Sequence, residues 1–334
     1  MSKVCIAGAG SWGLALALVL EKNGHEVTVW SALPEEIRLL KEEHENKRCL
    51  PGVIIPQTIR LTDKLDEAVA DKDVIVMAVA SPYTRATAAK LAPYIKDGQI
   101  IVDVAKGIEE KSLHTLSQVI KDELPTAQVA VLSGPTHAEE VSRFIPTTCV
   151  IGAEAEETAC FLQNLFMNES FRIYTSSDVL GIELGGSLKN VIALAAGIAD
   201  GLGYGDNTKA ALITRGIHEI SRLGVAMGGR LQTFYGLTGM GDLIVTCASM
   251  HSRNRRAGIL MGQGKSMQEA MDEVQMVVEG VYSAKAALIL AKKYNISMPI
   301  TEKINEILFE GKNAKDAVRE LMLRDRKVEH EYKP

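Results

Sequence analysis

Cysteine is sparse and wrongly spaced for a cross-linked or zinc-pinned scaffold: Cys5, Cys49, Cys149, Cys160 and Cys247 are odd in number, scattered and never arranged as C-x-x-C. No disulfide framework and no metal site is expected, and a reducing, cytoplasmic setting fits best. Positive charge is in deficit, with 37 Lys and Arg against 42 Asp and Glu, a formal net charge of −5. No global positive field therefore exists to gather nucleic acid or an anionic membrane, and any anion must be bound locally. No apolar run reaches the roughly 18–20 residues that a membrane span needs. The N-terminal apolar stretch after Lys3 imitates a secretory signal, but glycines at 8, 10 and 13 interrupt it. With only ten prolines and 46% hydrophobic residues the chain lies in the globular range, and 334 residues favour two domains over one.

Short apolar, β-branched runs at 4–7, 27–30, 74–79, 100–104, 129–132, 149–151 and 171–174 alternate with helical patterns. That alternation predicts a parallel sheet covered by helices, with strands buried on both faces. Beyond about residue 178 strand signals fade and segments rich in Ala, Leu, Met, Lys and Glu take over. The expected division is a dinucleotide-binding domain at 1–180 and a helical substrate-binding domain at 181–334, joined inside or just before a helix at 179–199. The charged tail 324–334 is expected to fray.

Gly8-Ala9-Gly10-Ser11-Trp12-Gly13 follows the first strand run and opens a helical segment. In that context Gly8 permits the tight turn, Gly10 lets backbone approach a pyrophosphate, and Gly13 packs helix against strand, so a dinucleotide is expected. The residue after the second strand normally separates NAD from NADP, an acid for free ribose hydroxyls and a base for a 2′-phosphate. Here Trp30-Ser31-Ala32-Leu33 offers neither, and Arg38 lies two helical turns away, so the residues leave NAD or NADP open.

Lys189 is the only charged side chain between residues 184 and 199. Burial there lowers the pKa of an amine toward working pH, which suits a general acid or base, and Lys189 is the catalytic candidate. Asn190 beside it suits a ligand hydroxyl or carbonyl. The glycine-rich loop before Asp242 delivers that carboxylate either to orient Lys189 or to cap a helix, and spacing does not separate the two. Arg253, Arg255 and Arg256 offer forked donors for phosphate. Arg253 and Arg256 share a helical face, whereas Arg255 is expected to be a solvated or ion-paired surface group. Lys106 follows a strand at its carboxyl end, where ligands bind in open α/β folds, and Gly134 and Thr136 repeat that placement. His137, with no partner visible in sequence, is expected to be an ordinary loop histidine.

These blocks together resemble the bacterial NAD(P)-dependent sn-glycerol-3-phosphate dehydrogenases, nearly end to end: residues 8–13, 104–107, 132–140, 183–215, 236–247, 251–258 and 277–280. The resemblance implies an N-terminal Rossmann-type doubly wound α/β sheet and an all-α C-terminal domain of the 6-phosphogluconate dehydrogenase-like kind. It implies reversible reduction of dihydroxyacetone phosphate with NAD(P)H, in supply of the phospholipid backbone, by a homodimer. Lys189 matches the proton-transferring lysine, and Lys106, Gly134, Thr136, Asp242, Ser252, Arg253 and Asn254 match substrate contacts. Ser11, Trp12, Lys106, Ala138, Arg253, Val277 and Glu279 match cofactor contacts. Ala32 stands where bacterial members often carry an arginine, which weakens the NADPH preference the family implies. A hydroxy-acid dehydrogenase of similar architecture and a nonenzymatic nucleotide-binding sensor are the rival readings. Turnover on keto acids marks the first, and tight nucleotide binding without turnover marks the second.

Overall fold

The computed structural model describes residues 1–326 together with Val328 and Glu329, so Lys327 and residues 330–334 of the charged tail lie outside the described residues. Eight strands form one sheet: β1 Lys3–Ala7, β2 Glu26–Trp30, β3 Arg60–Thr62, β4 Val74–Met77, β5 Ile100–Asp103, β6 Gln128–Ser133, β7 Thr147–Ala153 and β8 Phe171–Ser176. Their order across the sheet is β3-β2-β1-β4-β5-β6-β7-β8. The chain runs outward from β1 in one direction through β2 and β3, then in the other from β4 onward. A crevice opens at the carboxyl ends of β1 and β4, where the order reverses, and such crevices hold ligands in doubly wound sheets. All four residues of β4 are buried, as a strand covered by helices on both faces requires.

Two sequence expectations are corrected here. The edge strand β3 was not expected, because Arg60-Leu61-Thr62 is too short to show a β-branched run and pairs only with β2. The sheet is also not wholly parallel: β7 runs antiparallel to β6, with Ala130 opposite Ala153. The connection between them is used up by the loop after Ser133 and the single helical turn Ala138–Val141, so the chain never travels back along the sheet to start a parallel strand.

Every described element beyond β8 is helical. The central one is Val179–Gly201, in which each residue from 181 to 199 is buried. It is the one helix among the described residues that is long and apolar enough to cross a membrane, and it forms the core of the helical lobe. Asp178 caps it, accepting from Gly181 N at 3.0 Å. The buried Glu183 ties it to the sheet lobe by accepting from Ser117 N at 2.8 Å and Ser117 Oγ at 2.6 Å.

A second helix, Arg253–Gly262, crosses this core helix at glycines on both sides. Gly197 and Gly201 on one and Gly258 and Gly262 on the other are each four residues apart, hence on one face. A Cβ on Gly197 would sit 2.9 Å from Gly258 Cα and overlap the Arg255 carbonyl, and a Cβ on Gly258 would overlap the Leu194 carbonyl. This close crossing sets the distance between Lys189 on the first helix and Arg253 on the second. Gly258→Val must push two backbones apart and should destabilise the protein by about 1–3 kcal/mol, the usual penalty of overpacking. Thermal unfolding would show a lowered Tm, and an unchanged Tm would mean the crossing tolerates separation.

Candidate active site

The turn after β1 is built for close approach. Gly8 has φ +133°, and a Cβ there would lie 2.6 Å from the Ala78 carbonyl of the neighbouring strand end, while a Cβ on Gly13 would overlap the Gly8 carbonyl. Both glycines therefore hold the turn together from behind, and Gly10, Ser11 and Trp12 face the cleft. A Cβ on Gly10 would meet nothing within 4 Å, so the space over the turn is open. The helix Ser11–Lys22 starts without a side-chain cap, leaving its first amides and the positive end of its dipole directed at that space. These groups fit the pyrophosphate of a dinucleotide.

Across the cleft stand two lysines on one carboxylate. Lys189 Nζ donates to Asp242 Oδ1 at 2.7 Å and to Thr246 Oγ1 at 2.5 Å. Lys106 Nζ donates to Asp242 Oδ2 at 2.6 Å and to the Gly134 carbonyl at 3.0 Å. An ammonium has three N–H donors, so each lysine keeps one N–H beyond these bonds, and both side chains line the cleft. The Lys189 side chain is 7% exposed. Burial lowers its pKa to about 8, with Asp242 opposing and Lys106 assisting that shift. Burial alone would raise the Asp242 carboxyl, but Lys106 and Lys189 together outweigh it and hold the group below its ordinary range.

The choice left open for Asp242 is decided by position. It is the first residue of the helix Asp242–Ala248, the cap position belongs to Gly241, and no side-chain cap bond exists there. Its carboxylate faces the lysines instead. The helix is started by a π-turn over Leu237–Gly241, which the glycines permit.

At the far end of the cleft, Ser252 caps the helix Arg253–Gly262 by accepting from Arg255 N at 3.2 Å. Arg253 and Arg256 both line the cleft. Arg255 turns away from the cleft and bonds Asp200 at 2.7 Å with its side chain 12% exposed, so of the two expected roles it takes the ion-paired one, half-buried at the edge of the lobe. Asn254 Nδ2 donates to Asn190 Oδ1 at 3.0 Å, and Asn254 Oδ1 accepts from Gly280 N at 2.8 Å. That chain of amides links the core helix to the helix Glu279–Lys293. Glu279 lies at its start, in the cleft wall, and burial raises its carboxyl against the pull of Arg253.

Most candidate residues meet around one cleft: Gly10, Ser11, Trp12, Lys106, Thr136, Ala138, Lys189, Asn190, Asp242, Ser252, Arg253, Asn254 and Glu279 all line it. Gly8, Gly13 and Gly134 sit behind its surface, and Val277 lines no part of it, its place being taken by Met276 and Glu279. His137 and Thr246, which the sequence does not mark as site residues, also line the cleft, as does Arg256 on the face it shares with Arg253. His137 Nε2 is buried without a partner, and its ring lies 5.8 Å from that of His251. Burial first, then Lys189, lowers its pKa and so favours the neutral imidazole. Thr246 was findable, since it lies one helical turn beyond Asp242 on the same face.

Two family models together account for nearly the whole chain. The NAD-dependent glycerol-3-phosphate dehydrogenase N-terminus matches residues 3–159 and the C-terminus of the same family matches residues 178–319. The chain belongs to that family. A glycerol-3-phosphate dehydrogenase [NAD(P)+] of Agathobacter rectalis is 64% identical over 99% of this chain and 98% of its own length, and one of Fusobacterium nucleatum is 62% identical over 98% and 99%. A crystal structure of glycerol-3-phosphate dehydrogenase from Coxiella burnetii superposes with a TM-score of 0.94 at 36% identity, covering 97% of this chain and 99% of that one. The chain is thus an NAD(P)-dependent oxidoreductase with a Rossmann-type lobe and a helical lobe.

Proposed function

We propose that this enzyme reversibly reduces dihydroxyacetone phosphate to sn-glycerol 3-phosphate with NAD(P)H, in the cytoplasm and as a homodimer, supplying the glycerol phosphate of phospholipids. The observation that carries the reading is the pair of ammoniums sharing Asp242, each with an N–H to spare, in a cleft that also holds the glycine turn and two arginines. Residues 1–180 then form the nucleotide-binding domain and residues 181–334 the helical substrate domain.

The reduced nicotinamide, when bound, supplies the hydride that C2 of the triose receives. The chain's own part is to hold the substrate and manage the proton. Lys189 gives a proton to the C2 oxygen as that oxygen becomes an alkoxide, and takes it back in the oxidative direction. Lys106 stands beside the same oxygen, a stabilisation realised most fully as negative charge develops. Arg253, with Asn254 and Ser252 alongside, takes the phosphate, whose binding orients the reacting carbon. Thr136 and Asn190 serve the remaining hydroxyl and carbonyl groups, Gly134 positions Lys106 and Thr136 from behind by accepting from both, and Ala138 and Glu279 border the nucleotide.

Initial rates of NADH and NADPH oxidation with dihydroxyacetone phosphate, beside small keto acids, test the assignment directly. Preference for the keto acids would give the site to a carboxylate substrate. Binding of nucleotide without turnover on either would make the protein a sensor. Arg253→Ala removes charge-assisted bonds worth about 1.5–3 kcal/mol and should raise KM for dihydroxyacetone phosphate by about 10- to 100-fold. A mutant with the parent KM would place the phosphate elsewhere.

A further inference from the structure

We propose that this enzyme selects NAD(H) over NADP(H), and that Glu36 makes the selection. The inference rests on the dinucleotide reading above and adds what the end of β2 recognises. In folds of this kind that position meets the adenosine ribose, where an acid accepts the free hydroxyls and a base holds a 2′-phosphate. Here β2 stops at Trp30, and the residues that follow, Ser31, Ala32 and Leu33, carry no charge.

The structure supplies the missing charge from one turn further on. Ser31 Oγ donates to Glu36 Oε2 at 2.6 Å and accepts from Leu33 N at 3.2 Å, which fixes the hydroxyl on the carboxylate. From the other side Asn46 Nδ2 donates to Glu36 Oε1 at 3.3 Å and to the Ala9 carbonyl at 3.2 Å. Glu36 is thereby held between the end of β2 and the glycine turn, the two elements that border the ribose. A carboxylate has about four acceptor positions, so two remain for ribose hydroxyls after Ser31 and Asn46 are served.

The arginine of the following helix is already engaged and poorly placed to hold a 2′-phosphate. Arg38 is forked onto Glu35 and also bonded to Glu42, each at 2.6 Å, with its side chain 52% exposed. The helix Pro34–Glu43 does not compensate. Pro34 has no N–H, Glu36 N is already bonded to the Leu33 carbonyl at 3.1 Å, and Glu35 and Glu36 make its first turn acidic. A phosphate placed here would stand against a fixed carboxylate, and like charges so placed discriminate strongly between ligands.

The test is direct binding to the full-length protein without substrate, following reduced nicotinamide fluorescence with NADH and with NADPH. NADH should bind about 10²-fold tighter, the scale of a like-charge clash. Glu36→Gln should reduce that ratio at least about tenfold, chiefly by tightening NADPH. Ala32→Arg, at an exposed position with no fold role, should also tighten NADPH and covers the event that the Glu36 variant folds poorly. Equal or tighter binding of NADPH by the parent protein, or a ratio that neither substitution moves, overturns the proposal. If neither nucleotide binds, the dinucleotide reading itself fails. Selective NADH binding without turnover of dihydroxyacetone phosphate would leave the selectivity standing and remove only the substrate assignment.

Discussion

Lys189→Ala is expected to lower turnover with dihydroxyacetone phosphate by about 10² to 10⁴, the range a positioned acid or base contributes, while NADH binding stays within a few-fold of the parent. The amine bonds Asp242 and Thr246 and no group of the glycine turn, so its loss falls on the chemical step and not on nucleotide affinity. The pH profile gives the same lysine a second signature. With its pKa lowered to about 8, Lys189 is protonated below that value and neutral above it. Reduction needs the protonated form, so kcat/KM for dihydroxyacetone phosphate should fall as pH rises through about 8. Oxidation of glycerol 3-phosphate needs the neutral form and should fall as pH drops through the same value. Near-parent turnover in the Ala variant, or an alkaline limb that survives the substitution, would remove Lys189 from proton transfer.

The parts of this molecule that can be read in its sequence are those whose physics is local. The glycine turn is legible because strand, turn and helix are contiguous, and Lys189 because a single charge in a sixteen-residue, mostly apolar stretch has to be accounted for. Its burial follows from the helix around it, in which every residue from 181 to 199 is buried. The role of Asp242 is not legible in the same way, since cap and counter-ion make the same demands on spacing and the lysines it joins are 53 and 136 residues away. The glycine crossing of Gly197 with Gly258 is equally long-range: each glycine alone looks like a weak point in a helix, and only the pair explains both. His137 escaped for a related reason. Its missing partner was read as absence of function, whereas in the fold the unpaired Nε2 is buried at the cleft.

Asp242→Asn should be nearly as damaging as loss of Lys189, by a different route. The carboxylate accepts from both lysines, and an amide of the same shape has one oxygen to offer in place of two. Two ammoniums would then share a buried pocket with Glu279, which bonds neither of them, as the remaining acid. Removing one member of a buried ion pair typically destabilises by about 3–5 kcal/mol, so a lowered Tm is expected at neutral pH. The sign of the pH dependence follows from the depressed Asp242 pKa: its stabilisation is present above the ordinary value of 3.8 and is lost only as pH falls through the lower native value. Catalysis should fall about 10²-fold, the scale of a small misplacement of a reacting group, because one of the two nitrogens loses the oxygen that aims it and meets an amide N–H instead. The alkaline limb for reduction should also move to lower pH, since Asp242 opposes the burial that depresses Lys189. That displacement separates an electrostatic role from a merely structural one. A variant that is less stable but keeps the parent limb would show that Asp242 supports the fold without tuning the lysine.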